Sequence, residues 1–266
     1  MFDIHERAID TAALTMRYHA APWDTPTVGG SVAVISEISV REPQQARKDF
    51  RVFREWCTTG RVVLVSCRIA HERLRECGFL EMEEFRFIEL NYRPELAQLQ
   101  KRDVGHSDEF MVEAAADSDE PVIASIAGRI FEAGRFHRDP MIDPSTGDLR
   151  YRRWVSNAFR NPRQSVLKCL RNSEIQAFFV VESPSVASRF WSLVGLAPGL
   201  GGHGIGTSVW RAVLRWHREE GVDVVSTSIS SLNVPVLNLY VKLGFRFPAP
   251  MITLHWCPRG RIAVPA

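Results

Sequence analysis

No apolar run in the sequence approaches the roughly 18 residues that a membrane-crossing helix needs. The first residues, Met1 to Arg7, lack a basic region leading into an apolar segment, so no secretory signal is read and a cytoplasmic location is expected. There are only five cysteines, Cys57, Cys67, Cys77, Cys169 and Cys257. Their odd number and the absence of any C-x-x-C exclude a disulfide scaffold and point to buried free thiols in a reducing compartment. Nothing has metal-ligand spacing, and no metal is expected. Charge of one sign is also missing: 33 Lys and Arg stand against 31 Asp and Glu, interspersed, for a net +2. That gives no reason to expect a nucleic-acid partner. No G-x-x-x-x-G-K-[ST] phosphate loop and no Ser/His/Asp order is found. What is present is apolar bulk. Hydrophobic residues make up 45% of 266, enough for one large core or two smaller ones.

The densest pattern lies between Trp191 and Phe245. Trp191 to Ala197 is a β-type run ended by Pro198 and Gly199, and Gly199 to Gly206 then holds five glycines in eight residues. From Thr207 a helix is expected, because Val209, Val213 and Trp216 recur at helical spacing. Asp223 to Ile229 reads as a second strand. A turn with Asn233 and Pro235 leads into a short helix that Gly244 is placed to cap. A strand feeding glycines into a helix N-terminus is an anion site: the glycines bring successive N–H groups into one concavity, and the helix dipole favours phosphate oxygens. Gly199 to Gly204 also fits the dinucleotide pattern G-x-G-x-x-G, but the next strand ends Ser226-Thr227-Ser228 without the acid that a ribose needs.

These residues resemble the GNAT superfamily of acyl-CoA-dependent N-acyltransferases. The family's phosphate motif, Q/R-x-x-G-x-G/A, corresponds to Gly201-Gly202-His203-Gly204-Ile205-Gly206, with Gly201 in place of the usual Gln or Arg. The family's later helix, ending Tyr-x-x-x-Gly-Phe, corresponds to Asn238-Leu239-Tyr240 through Gly244-Phe245. The resemblance implies acyl-CoA, most simply acetyl-CoA, as co-substrate. It also implies a splayed strand whose backbone N–H, within Leu193 to Leu196 and so at Val194, Gly195 or Leu196, polarises the thioester carbonyl. Tyr240 is the expected general acid, since a phenol with pKa ~10 holds its proton at neutral pH; a core tyrosine is the competing reading. Thr207 belongs with the phosphate turn. Asn233 and Asn238 either contact CoA or cap loop and helix, and His203 either neutralises phosphate or faces solvent.

The N-terminal part reads as a degenerate half of the same fold. Val65 to Ile69, then Leu74 to Phe79, echoes Val225 to Ile229, then Leu239 to Phe245, with Arg75 at the position of Tyr240 and no glycine-rich turn. The fold class expected is therefore α/β with mixed sheets: a degenerate GNAT-like domain over 1–95, a linker over 96–107, and a catalytic acyl-CoA-binding GNAT domain over 108–257. A helix is expected from Pro43 to Cys57, its Phe50, Phe53 and Trp56 forming a core stripe. A short helix should end at Gly78-Phe79, and Met251 to Trp256 should be a last strand of the catalytic domain.

Between Ala133 and Gly147 lies a long loop, followed by a helix from Asp148 to Phe159. Arg-Phe-His-x-Asp-Pro, then Tyr151-x-x-Trp154, is similar to the dTDP-fucosamine N-acetyltransferase type of sugar-nucleotide N-acyltransferase. That resemblance implies a dTDP-linked amino-dideoxysugar as acceptor. Arg135, His137 and Arg138 could then pair with a nucleotide diphosphate, and Phe136 would stack on sugar or base, or simply anchor the loop. No general base is evident; water, His137 or Asp139 would serve. The partners are two small molecules, and a homodimer is left open. The alternatives are a GNAT enzyme acting on another small amine or a protein N-terminus, and a non-catalytic acyl-CoA sensor.

Overall fold

A computed structural model describes residues 5–105, 109–201 and 204–263. Gly202 and His203, two of the expected phosphate contacts, lie outside the described residues. In chain order the elements are β1 (Arg7–Asp10), β2 (Leu14–Ala20), α1 (Thr25–Val28), β3 (Ser31–Val40), α2 (Pro43–Asp49), α3 (Arg51–Thr59), β4 (Val62–Ala70), α4 (Leu74–Met82) and β5 (Arg86–Tyr92). Then follow β6 (Glu95–Leu96), β7 (Met111–Ala114), α5 (Glu120–Ile130), α6 (Arg135–Arg138), α7 (Pro144–Arg160), β8 (Gln164–Arg171), β9 (Glu174–Ser185) and β10 (Ser188–Leu196). The last are α8 (Ile205–Glu219), β11 (Val224–Thr227), β12 (Ile229–Ser230), α9 (Val234–Lys242) and β13 (Met251–Trp256).

The chain forms two compact units, neither continuous in sequence. One comprises Met1–Asn91, Ala133–Gly147 and Ala249–Ala266; the other comprises Tyr92–Glu132 and Asp148–Pro248. In the first unit the strands run β1-β2-β3-β4-β13-β5. β2 alternates buried Leu14, Met16 and Tyr18 with half-exposed polar residues, as a strand with one covered face must. The expected Pro43–Cys57 helix is two helices meeting at Phe50, with Pro43 in the first turn of α2. Its stripe is core: Phe50 and Phe53 are fully buried with ring centroids 5.2 Å apart, and Trp56 lies 5.9 Å from Phe53.

In the second unit the order is β6-β11-β10-β9-β8-β7, with β10 and β11 parallel. One face of this sheet packs on α8 and α9 through Trp191, Phe179, Trp210 and Tyr240. The other packs on α5 and α7 through Phe178, Val180, Ile123 and Val155. The α5–α7 approach depends on Gly128, where any Cβ would run into the Arg152 side chain.

Four expectations are corrected. The segment read as a linker carries β6, which pairs with β11, and Leu96 and Leu99 are fully buried in the second unit. β13 is inserted between β4 and β5 of the first unit, with Leu254 paired to Cys67 and Phe87, and so is not a strand of the second. The helix expected to stop at Gly78 runs on to Met82, because Phe79 and Leu80 supply its buried face; the left-handed residue after it is Glu84, at φ 70°. Finally, α7 begins at Pro144, inside the segment read as loop, which also contains the single turn α6.

All five cysteines are unpaired thiols, as the sequence indicated. Burial pushes Cys57, Cys67 and Cys169 from 9.0 up to about 12, and Cys257 to about 11. A thiol whose pKa is raised by folding stabilises the folded state below its unfolded pKa and loses that contribution as pH rises through the folded value. Stability should thus be flat through neutral pH and fall steeply from about pH 9 towards 12. Urea midpoints measured across that range check the slope.

Candidate active site

The two central parallel strands of the second unit pair over only part of their length. Ser188 to Trp191 of β10 match Val224 to Thr227 of β11, and β11 then ends while β10 runs on to Leu196, paired with β9 alone. The parting follows a bulge at Ser192, between the pairs Trp191–Val181 and Leu193–Val180. Thr227 closes the base of the fork by donating its hydroxyl to the Trp191 carbonyl at 2.8 Å. The Ala197 N–H donates to the Gln176 carbonyl on the β9 side. Antiparallel alternation then turns Gly195 and Leu193 towards β9, and turns the N–H and C=O of Val194 and Leu196 into the open fork. Gly195 lets this strand lie close on the layer beneath, where a Cβ would press on Ile130 and on Phe178 Cε1, 2.7 Å away. Gly195→Ala should cost about 1–3 kcal/mol through overpacking; a lowered Tm would register it.

At the end of the fork the chain turns through Gly199, at φ 83°, and Gly204, at φ 75°, into α8. Gly204 is the N-cap, without a side-chain cap, and no acidic residue stands in the first turn. The first-turn N–H groups and the positive end of the dipole therefore face outward from Ile205 and Gly206. The Thr207 N–H returns to the Gly204 carbonyl at 3.1 Å. Gly201 and Gly204 have open space where a Cβ would be, whereas at Gly206 a Cβ would meet Leu239 and Leu196. The end of β10, the start of α8 and α9 thus converge on one place.

Tyr240, on α9, lies among Trp210, Phe245 and Thr227. It is 2% exposed, and burial pushes its phenol up to about 12, against a smaller pull downward from Trp210 and Thr227. At neutral pH it is a protonated donor. Asn233 is the N-cap of α9, its side chain accepting from the Val236 N–H at 3.4 Å, and so takes the capping one of its two expected roles. Asn238 is exposed on α9.

The first unit has the same fork, and it is filled. β3 and β4 are parallel as far as Ile35 and Cys67, after which β3 bulges at Ser36 and runs on to Val40 beside β2. Counting from the last paired residue of each fork, Ile38 stands where Val194 stands and Val40 where Leu196 stands. Here Glu76 accepts the Val40 N–H at 3.1 Å, and Arg73 donates to the Ile38 carbonyl at 2.9 Å. Arg73 also pairs with Glu76, which is 6% exposed. Burial alone would raise the Glu76 carboxyl, but Arg73 and the Val40 amide hold it below its ordinary value. The repeat keeps strict step: Val65, Leu80, Glu84 and Phe85 correspond to Val225, Tyr240, Gly244 and Phe245. Leu80, not Arg75, therefore occupies the tyrosine position. In the second unit Arg73 and Glu76 are replaced by Asn233 and Val236. No side chain among the described residues takes the outward groups of Val194 and Leu196.

Arg135, Phe136 and His137 form α6 and belong to the first unit. Phe136 is 1% exposed, in a core with Val32, Leu64 and Ile142, so it anchors the segment and offers no face for stacking. Arg135 is bonded to Ser66 and paired with Asp24 at 3.7 Å. His137 lies against Gly147, where a Cβ would collide with its ring. Asp139 is not a general base in waiting. It is 1% exposed, bound to His255 Nδ1 at 2.8 Å, and its carboxyl, which burial would raise, is held low by His255 and the Met141 amide. His255 is buried too and pushed down to about 4. Sequence reading missed Arg73 and Glu76, and also a bond from Trp191 Nε1 to His217 Nε2 at 3.1 Å that ties the fork strand to α8. Nothing in the spacing of these residues marks them.

The profile of the Acetyltransferase (GNAT) family matches residues 132–245. No curated protein matches the sequence. Among solved structures the chain is similar to a tandem GNAT protein from the clavulanic acid biosynthesis pathway, at 12% identity and TM-score 0.62, covering 96% of this chain and 82% of that one. A GCN5-related N-acetyltransferase from Sphaerobacter thermophilus is similar at 13% identity and TM-score 0.65, over 97% and 84% of the two chains. One from Kribbella flavida gives 13% and 0.61, over 96% and 89%. These identities speak to fold alone, and both units repeat the same forked sheet. The chain has the tandem GNAT fold, and its residues 132–245 carry the match to the GNAT acetyltransferase family.

Proposed function

We propose that this protein is an acyl-CoA-dependent N-acyltransferase whose single working site is the fork of the second unit. One observation carries this reading: among the described residues no side chain takes the outward backbone groups of Val194 and Leu196, the strand leads to an α8 N-terminus capped by glycine, and α9 supplies a buried, protonated Tyr240. The thioester carbonyl accepts from the fork backbone, which favours the oxyanion as the amine attacks. The C–N bond forms, the C–S bond breaks with its electron pair on sulfur, and the Tyr240 proton passes to the thiolate. The proton lost by the amine restores the phenol, so the step balances. The glycine turn and first turn of α8 hold the pyrophosphate. Release of free thiol from acetyl-CoA, dependent on an added amine, is the direct assay.

For the acceptor we propose the amine of a dTDP-linked amino-dideoxysugar. Its support within the second unit is a run of flat rings. Phe131 stacks on Tyr151 with centroids 4.1 Å apart, Tyr151 lies parallel to Trp154 at 6.3 Å, and Arg150 sits 4.9 Å above Trp154. Aromatic faces with a cation suit a base and its phosphates. The burial of Phe136 favours a second reading, another small amine or a protein N-terminus. Saturable binding of dTDP supports the first; acetyl-CoA binding without dTDP binding leaves the second.

A further inference from the structure

Resting on the reading of Tyr240 as general acid, we infer that Trp210 is a positioning residue whose indole N–H receives the phenolate formed when Tyr240 gives up its proton, with Thr227 as the second donor. Proton transfer to sulfur leaves a negative charge on the oxygen of a side chain that is 2% exposed, and such a charge needs donors already in place. Two surround it. Trp210, on α8, is 3% exposed, with its ring edge-on to the Tyr240 ring at a centroid distance of 6.4 Å. Its Nε1–H is buried without a hydrogen bond in the resting protein. A buried donor left unsatisfied is ordinarily costly, so its retention beside a group that becomes anionic has a physical reason. Thr227 is 2% exposed and spends its one hydroxyl proton on the Trp191 carbonyl at the base of the fork. Rotation of that hydroxyl redirects its hydrogen bond from a neutral carbonyl to the phenolate, a stronger acceptor. Both side chains already draw the phenol's pKa downward against the opposing effect of burial.

The test is steady-state kinetics of the full chain with acetyl-CoA across pH. Two variants are used: Trp210→Phe, and Trp210 replaced by the near-isosteric benzothienylalanine, which keeps the ring volume and lacks the N–H. Both should lower kcat by about 10- to 100-fold with KM for acetyl-CoA changed less than about threefold. Both should also move the alkaline limb of the kcat profile upward, since a donor to the phenolate has been removed. In a Tyr240→Phe background the same replacements should add no further loss, because the indole acts through the phenol. An unchanged kcat and limb with benzothienylalanine would overturn the inference, as would an equal loss in the Tyr240→Phe background, which marks a packing role. If Tyr240→Phe alone leaves kcat intact, the general-acid reading fails first, and the profile of that single variant shows it separately.

Discussion

Replacing Tyr240 by Phe should lower kcat by about 10²- to 10⁴-fold, the range that a positioned acid contributes, with acetyl-CoA affinity little changed. The substitution removes one oxygen from a side chain packed among Trp210, Phe245 and Thr227 and keeps the ring, whose centroid is 4.8 Å from that of Phe245. The fold should survive. The alkaline fall in stability should lose one contributor, because a phenol pushed up to about 12 opposes folding above its unfolded value. An acyl-CoA sensor would behave otherwise: binding and output would both persist in the variant. Thiol release measured beside calorimetric binding separates the two.

The second large effect is expected at Gly204. This residue is the α8 N-cap, in a left-handed conformation and with open space around its missing Cβ. Aspartate tolerates that conformation better than most residues, so Gly204→Asp should fold and lower Tm only slightly. Its charge, however, stands where the account places a pyrophosphate. At roughly 5 Å and an effective dielectric near 20, like charges repel by about 3 kcal/mol, so the Kd for acetyl-CoA should rise about 100-fold and recover partly in high salt. Gly204→Asn, which has the same shape without the charge, should bind within a few-fold of the parent. Equal losses in both variants would point to backbone strain rather than phosphate repulsion.

Much of the forked site can be read from residue order because its logic is local. A strand, a glycine turn and an amphipathic helix are contiguous from Trp191 to Glu219, and the period and glycine content give them away. The N-terminal half is legible as a repeat for the same reason, although its helix does not stop at Gly78-Phe79 as the sequence suggests. Gly78-Phe79 imitates Gly244-Phe245, but the buried positions of the helix continue to Leu80, and Glu84 takes the left-handed turn without being glycine. What could not be read depends on distant pairings. β13 leaves one half of the sequence to lie between strands of the other half, and nothing in Met251 to Trp256 states its partner. The filling of the first fork by Arg73 and Glu76 depends on which backbone groups β3 turns outward, a matter of register and bulge rather than residue type. The Arg135 segment misled for a further reason. Its arginine and aromatic side chains have the chemistry of a phosphate and base site, yet Phe136 and Asp139 are spent on holding the segment in the first unit.

One calorimetric titration of the full chain with acetyl-CoA decides whether the second fork holds an acyl-CoA. Saturable binding at one equivalent per chain is expected, retained by Tyr240→Phe and weakened by Gly204→Asp, because among the described residues only the second fork presents open backbone groups. Two equivalents would mean that Arg73 and Glu76 do not close the first fork. No binding by folded protein would mean that the second fork is not an acyl-CoA site.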